Sequence, residues 1–303
     1  MKTAAQLTAV AIFWAGVFHV GHWTMDEMEP MTTAFLRFTV AAITLWPLLV
    51  WMEPKDWRVR RGEVLPLIGL GCTGIFLYNA GFFYGLEGSG PVTASVVIAS
   101  IPMVTALLSA LILKETFTGR QAVGLVLSFA GVFLVVTEGR WELAGWKGGG
   151  IAWLTLAVFS FSFYTILGRR WMVGITPLKA TAYATAWGAV GLGIAAFFTG
   201  GWFPEQSSLG SWLGIGYMAW FATVWGFVWW NKGVARWGAG RTAVFLNMVP
   251  LFTLLITVVT GEVPTLFQIT GTCLVVAGVS LATIRWSEQT VPLAAKETQK
   301  SGS

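Results

Sequence analysis

Few residues in this chain could do chemistry, and they are thinly spread. His19 and His22 stand three apart, hence on one face of a helix, and Asp26, Glu27 and Glu29 follow them. Imidazole with carboxylate suits zinc or nickel, but two histidines are too few, so no metal is expected. Polar lining or proton transfer is the role left to His19. Arg37 has apolar neighbours on both sides. A guanidinium there either attracts an anion, such as a substrate carboxylate, or pairs with Asp26, Glu27 or Glu87. Glu115 and Glu262 each stand at a turn before a helix, where a carboxylate complements the helix dipole. Capping or locking the turn is the first role for them, proton coupling the second. Hydrolysis would need a histidine beside a nucleophile, or several metal ligands at one depth. No Gly-x4-Gly-Lys-Ser/Thr phosphate loop occurs either. The expectation is a protein that is not an enzyme, with no cofactor, no catalytic residue and no ATP-binding subunit.

The elements that must position these residues are membrane helices. Of 303 residues, 55% are hydrophobic and only 11% charged, less than half the charged share of a soluble domain. The lipid bilayer is thus the first partner, and no nucleic acid is implied, because the basic residues sit in short turns. Cys72 and Cys273 lie inside apolar runs and read as small buried hydrophobes. Apolar runs of about 20 residues fall at 4–23, 31–51, 63–86, 90–113, 119–137, 148–168, 177–198, 209–231, 240–260 and 265–285. With the N-terminus in the cytoplasm, 16 of the 19 basic residues fall inside, Arg140 and Lys147 fall outside, and Arg37 lies within a span. The positive-inside rule therefore predicts ten spans, both termini cytoplasmic, and a flexible polar tail over 287–303.

Landmarks recur. Thr93-Ala94 matches Thr242-Ala243, Pro102 matches Pro250, and Glu115, Gly124 and Gly131 match Glu262, Gly271 and Gly278 at one offset of 147 residues. Five spans per half is an odd number, so the second half, 140–286, enters the membrane opposite to the first, 1–139. The expected fold class is an all-α integral membrane protein of two inverted five-helix repeats around a central cavity, the plan of secondary transporters. Depth counting places Trp14, Phe18, Tyr78, Asn79, Ser160, Phe163, Tyr164 and Trp187 near mid-membrane as substrate-lining candidates. Pro102 and Pro250 fall mid-span, where a proline bends a helix, and are read as gating residues. Ser100 and Asn247 beside them would then face the cavity from the two halves.

Phe13-Trp14-Ala15-Gly16, Pro30 and Arg37-Phe38, then Tyr84-Gly85-Leu86, Ala94, Pro102 and Leu113-Lys114-Glu115, resemble the EamA-type branch of the drug/metabolite transporter superfamily. Gly124 and Gly131, with Pro250, Gly261-Glu262, Gly271 and Gly278, complete the likeness over residues 5–285. Within that branch the chain looks most like YddG-type exporters of aromatic amino acids. The resemblance implies helices 1–4 and 6–9 around the cavity, with helices 5 and 10 outside it. It implies export of small amphipathic metabolites, aromatic amino acids first, across a bacterial inner membrane. Export of a drug, an organic cation or a metal is the alternative. One departure stands out: Lys114 precedes Glu115 where the second half has Gly261.

Overall fold

The computed structural model describes residues 2–114, 118–138, 149–172, 174–237, 242 and 244–283, and every regular element among them is helical. Glu115 and the tail lie outside the described residues. The elements are α1 (Lys2–Thr24), α2 (Pro30–Met52), α3 (Arg61–Ser89), α4 (Pro91–Leu113), α5 (Gly119–Thr137), α6 (Gly150–Trp171), α7 (Pro177–Thr199), α8 (209–237), α9 (Met248–Val259) and α10 (Leu266–Thr283). Seven of them, α1 to α7, are long and apolar enough to cross a membrane, and Phe245–Val259 and Leu266–Ala282 are shorter apolar helices. Helices suit that setting because each satisfies its backbone groups internally.

The starts are written in the sequence. Proline opens α2, α4 and α7, where its fixed φ suits the first turn and no donor is lost. Thr118 and Gln121 form a reciprocal cap at α5: the Thr118 amide donates to Gln121 at 2.8 Å and the Gln121 amide to Thr118 at 3.3 Å. Thr265 and Gln268 repeat it before α10, at 3.0 and 3.2 Å.

That displacement, 147 residues from Thr118 to Thr265, runs through the chain. α2 and α7 are both 23 residues long, and Pro177 follows Pro30 by 147. α3 widens to a π-helix over Gly71–Leu77, and α8 does so over Met218–Trp225. α4 is interrupted at Ala99–Ser100, just before Pro102, and a 3-10 turn at Val244–Asn247 precedes Pro250. Each proline thus sits in the first turn after a break, not within a continuous bend. Lys114 adopts φ +55°, and Gly261, 147 on, adopts φ +92°. The left-handed turn is kept in both halves although only one supplies the residue that takes it without steric cost.

α5 and α10 pack on each other through bare backbone. A Cβ at Gly124 would come within 2.5 Å of the Gly278 carbonyl oxygen, and one at Gly131 within 2.5 Å of that of Gly271. The order of these contacts makes the pair antiparallel. The other helices share a core that includes Phe18, Phe38, Phe82, Phe83, Leu86, Leu154, Leu192 and Met218. Cys72 and Cys273 are exposed, which corrects their reading as buried. The outside of a membrane protein is as apolar as its inside, so an apolar run does not report which face is interior.

Candidate functional site

Rings from α1, α3, α6 and α8 form two groups of contacts. Phe18 lies 5.2 Å from Phe82, and Tyr78 lies 6.0 Å from Phe82 and 5.0 Å from Phe161, which in turn touches Tyr164 at 5.3 Å. On the α8 side, Tyr217 stacks on Phe221 at 5.8 Å, and Phe221 meets Phe13 at 5.5 Å. Arg37 of α2, 8% exposed, has one phenol of each group, Tyr78 and Tyr217, in electrostatic reach. Its Nε and Nη2 both point at the Thr223 hydroxyl, 3.3 Å away, and its guanidinium lies 4.9 Å over the Phe38 ring.

The π-helix in α8 makes this arrangement. Widening the turn lets the Thr223 hydroxyl donate five residues back, to the Met218 carbonyl at 3.0 Å, and leaves the Ala222 carbonyl to accept the Trp14 indole N–H at 2.8 Å. Such widened turns recur at functional sites. Neither Thr223 nor Tyr217 stands out in the sequence, because the change from four- to five-residue hydrogen bonding carries no compositional mark.

Phe18, Tyr78 and Tyr164 belong to the cluster, whereas the Trp14 ring contacts Phe227 and Trp230, further along α8, at 6.3 and 5.4 Å. Phe163 and Trp187 do not belong to it: 39% and 41% of their surface is exposed, and neither makes a ring contact among the described residues. Asn79 turns back on its own helix, donating to the Ile75 carbonyl at 2.8 Å. Ser100 likewise donates to Val97 at 2.6 Å, and Ser160 is buried in α6. Asn247 donates to Ser280 at 3.0 Å, which ties the start of α9 to α10 rather than facing the opposite half. A short polar side chain beside a helix break answers the nearest free group first.

His19 Nε2 lies 2.8 Å from the Thr257 hydroxyl. That hydroxyl also lies 3.0 Å from the Thr253 carbonyl. Glu262 is an exposed turn residue whose amide donates to the Thr257 carbonyl at 3.0 Å, close enough to act electrostatically on His19. Among the described residues no three metal-ligating side chains gather. The expected pairing of Arg37 with Asp26, Glu27 or Glu87 is not made. Glu27 instead accepts from the Ser208 amide and the Ser211 hydroxyl, both at 2.7 Å. An apolar groove of about 450 Å³ lies elsewhere, lined by Phe35 of α2, by α7 residues such as Val190 and Phe197, and by Trp202. It shares no residue with the cluster.

The EamA-like transporter family model matches the chain twice, over residues 1–137 and 148–284, so the two matches start 147 residues apart. An uncharacterized transporter of Bacillus subtilis, YyaM, is 34% identical over 91% of this chain and 92% of its own. A probable terminal-alkyne amino-acid exporter of Streptantibioticus cattleyicolor is 28% identical over 92% of this chain and 93% of its own. A solved crystal structure superposes with a TM-score of 0.67 at 19% identity, covering 93% of this chain and 96% of that one, which supports the fold alone.

Proposed function

Since this chain belongs to the EamA-like transporter family, we propose that this membrane transporter is a secondary carrier of small amphipathic metabolites, aromatic amino acids first. It works by alternating access of two inverted five-helix halves, 1–139 and 140–286. Both termini are cytoplasmic, and the direction is export across the inner membrane. The observation that carries the substrate reading is the aromatic cluster, two sets of rings facing one buried polar centre in an apolar bundle. Such a site offers stacking and burial to a ring, with polar groups for its charged end. The finer likeness to YddG-type exporters and the amino-acid export named for the Streptantibioticus relative point the same way. The inverted arrangement is supported by the recurrence at 147 residues of caps, π-helices and helix breaks. The antiparallel glycine contacts support it too, since exchanging Gly124 for Gly271 and Gly131 for Gly278 maps one contact onto the other. A metal or organic cation fits less well, because a buried arginine at the centre repels it.

Burying an aromatic side chain of about 150 Å² at about 25 cal/mol per Å² gains about 4 kcal/mol gross over glycine. After ordering costs, about 1–2 kcal/mol should remain, a factor of roughly ten in affinity. Purified protein in liposomes should show saturable counterflow of tryptophan, phenylalanine and tyrosine at about ten times the apparent affinity for glycine or serine. Glycine moving as readily as tryptophan would overturn the aromatic reading.

A further inference from the structure

A guanidinium inside a membrane protein must find an opposite charge or hold water, because leaving it bare costs several kcal/mol. Among the described residues, Arg37 has no opposite charge within ion-pair distance. Of the five N–H groups an arginine carries, Nε and Nη2 engage one hydroxyl, that of Thr223, at a long 3.3 Å. That hydroxyl is committed in turn to the Met218 carbonyl. Phe38 covers one face of the guanidinium. The phenols in reach, Tyr78 and Tyr217, carry no charge at neutral pH, and Tyr217 donates its own proton to the Phe13 carbonyl at 3.0 Å. Among the described residues, the ion pairs near the other end of α2 join Arg60, Lys179, Asp56 and Glu63, and none involves Arg37. Nη1 hydrogen bonds to no described residue. A buried charge that is oriented on a threonine, with no counter-ion among the described residues, has the chemistry of a group that binds an anion.

We infer that Arg37 is the carboxylate anchor of the transport site, the cargo supplying the counter-charge that the chain withholds. The unused edge of the guanidinium fork matches a carboxylate in the two-bond geometry that makes such pairs strong. Thr223 fixes the plane of the fork, and the rings of Tyr78 and Tyr217 flank the bound acid. The inference rests on the carrier reading and narrows the cargo to molecules bearing a carboxylate, whatever their side chain. Losing the anchor should weaken each of them by about 30-fold, the range of a hydrogen-bonded charge.

The test compares wild type, Arg37→Gln and Arg37→Lys in detergent, reading melting temperature and the affinity of four probes. L-Tryptophan and indole-3-propionate carry ring and carboxylate, tryptamine carries the ring without it, and 4-methylvalerate carries the carboxylate without the ring. Wild type should bind the three carboxylates well and tryptamine only weakly. Arg37→Gln should lose about 30-fold for each carboxylate with no loss for tryptamine, and Arg37→Lys should fall between, having charge without the fork. With no ligand, Arg37→Gln should melt no lower than wild type, since it removes an uncompensated charge. Carboxylate affinities equal in all three proteins would overturn the anchor. So would an Arg37→Gln protein that melts far below wild type or fails to fold, the mark of a structural arginine. Tryptophan binding that ignores Arg37 would leave the aromatic reading standing and the anchor fallen. Arg37-dependent binding of 4-methylvalerate without tryptophan would do the reverse, and a wild type that binds no probe would sink both.

Discussion

Where α2 ends and α7 begins, Thr176 donates to the Glu53 carboxylate, and the wholly buried Lys179 lies 2.8 Å from Glu63 and 3.6 Å from Asp56. Arg60 joins the same two acids from the surface, Asp56 at 3.4 Å and Glu63 at 3.9 Å. Where α7 ends and α2 begins, the positions 147 residues away from Glu53, Thr176 and Lys179 hold Gly200, Glu29 and Thr32. There the Gly200 backbone sits against the Glu29 side chain, and Thr32 donates to the Gly201 carbonyl at 2.7 Å. One plan of helix junctions is thus closed by buried charge at one end and by neutral hydrogen bonds at the other. In a carrier whose halves exchange two open states, equal junctions would balance those states. In the alternating-access carrier proposed above, unequal ones would make opening at the Lys179 end the costlier step.

The largest expected effect sharpens that contrast. Lys179→Ala leaves Glu63 and Asp56 without their buried partner, and breaking such a pair from one side costs about 3–5 kcal/mol. Both acids keep some contact with solvent, so about 3 kcal/mol is expected. Thr32→Ala removes one neutral hydrogen bond, worth about 1 kcal/mol. Thermal unfolding of the purified variants should show the lysine change as the larger by about threefold. Equal losses would mean that the two ends differ in wording only.

The α5–α10 pair supplies the opposite case, two equivalent sites that did stay alike. Gly124→Val and Gly271→Val each place a side chain against backbone at a separation of 2.5 to 2.6 Å from the opposing carbonyl oxygen. Overpacking of this kind costs about 1–3 kcal/mol, and the two losses should agree within about 0.5 kcal/mol, the scatter of independent sites. A large difference would break the equivalence of the halves in the one place where the geometry is most nearly the same.

How much of this was legible follows from what hydropathy and spacing can carry. Helix positions come from apolar run lengths and the 147-residue recurrence of Gly124 and Gly131 from spacing, and the lining candidates Phe18, Tyr78 and Tyr164 do fall among the ring contacts. The reciprocal caps at Thr118 and Thr265 were also open to reading as Thr-x-x-Gln before an apolar run, and would have strengthened the repeat. Facing is harder, because lipid and protein interior are chemically alike, so Cys72, Cys273, Phe163 and Trp187 give no sign of which way they turn. Thr223 is hidden for a different reason. A π-turn shifts every later side chain around the helix by about one position, so a face drawn at 3.6 residues per turn fails beyond Met218. Asn247 and Ser100 show the third limit, that a polar residue at mid-depth spends its hydrogen bonds on the nearest backbone or helix before it serves a cavity.

The smallest effect concerns the end held without buried charge. Glu27 is fully exposed, yet its carboxylate accepts the Ser208 amide and the Ser211 hydroxyl, and these bonds hold its pKa below the ordinary 4.5. A carboxyl whose folded pKa is depressed contributes stability that is complete above its unfolded value and is lost as pH falls through the folded one. Acidification below about 4.5 should therefore loosen the start of α8 from the α1–α2 turn. Hydrogen exchange at the Ser208 amide, corrected for its intrinsic pH dependence, should reveal the change as protection that fades with acid. Glu27→Gln should lower that protection at neutral pH and remove its acid dependence, since an amide accepts more weakly than a charged oxygen. Protection at Ser208 that stays unchanged in Glu27→Gln at every pH would show that α8 is held here by its own cap, the Ser208 hydroxyl accepting the Ser211 amide at 3.4 Å. The contrast between the two ends would then widen, because charge would contribute nothing at this one.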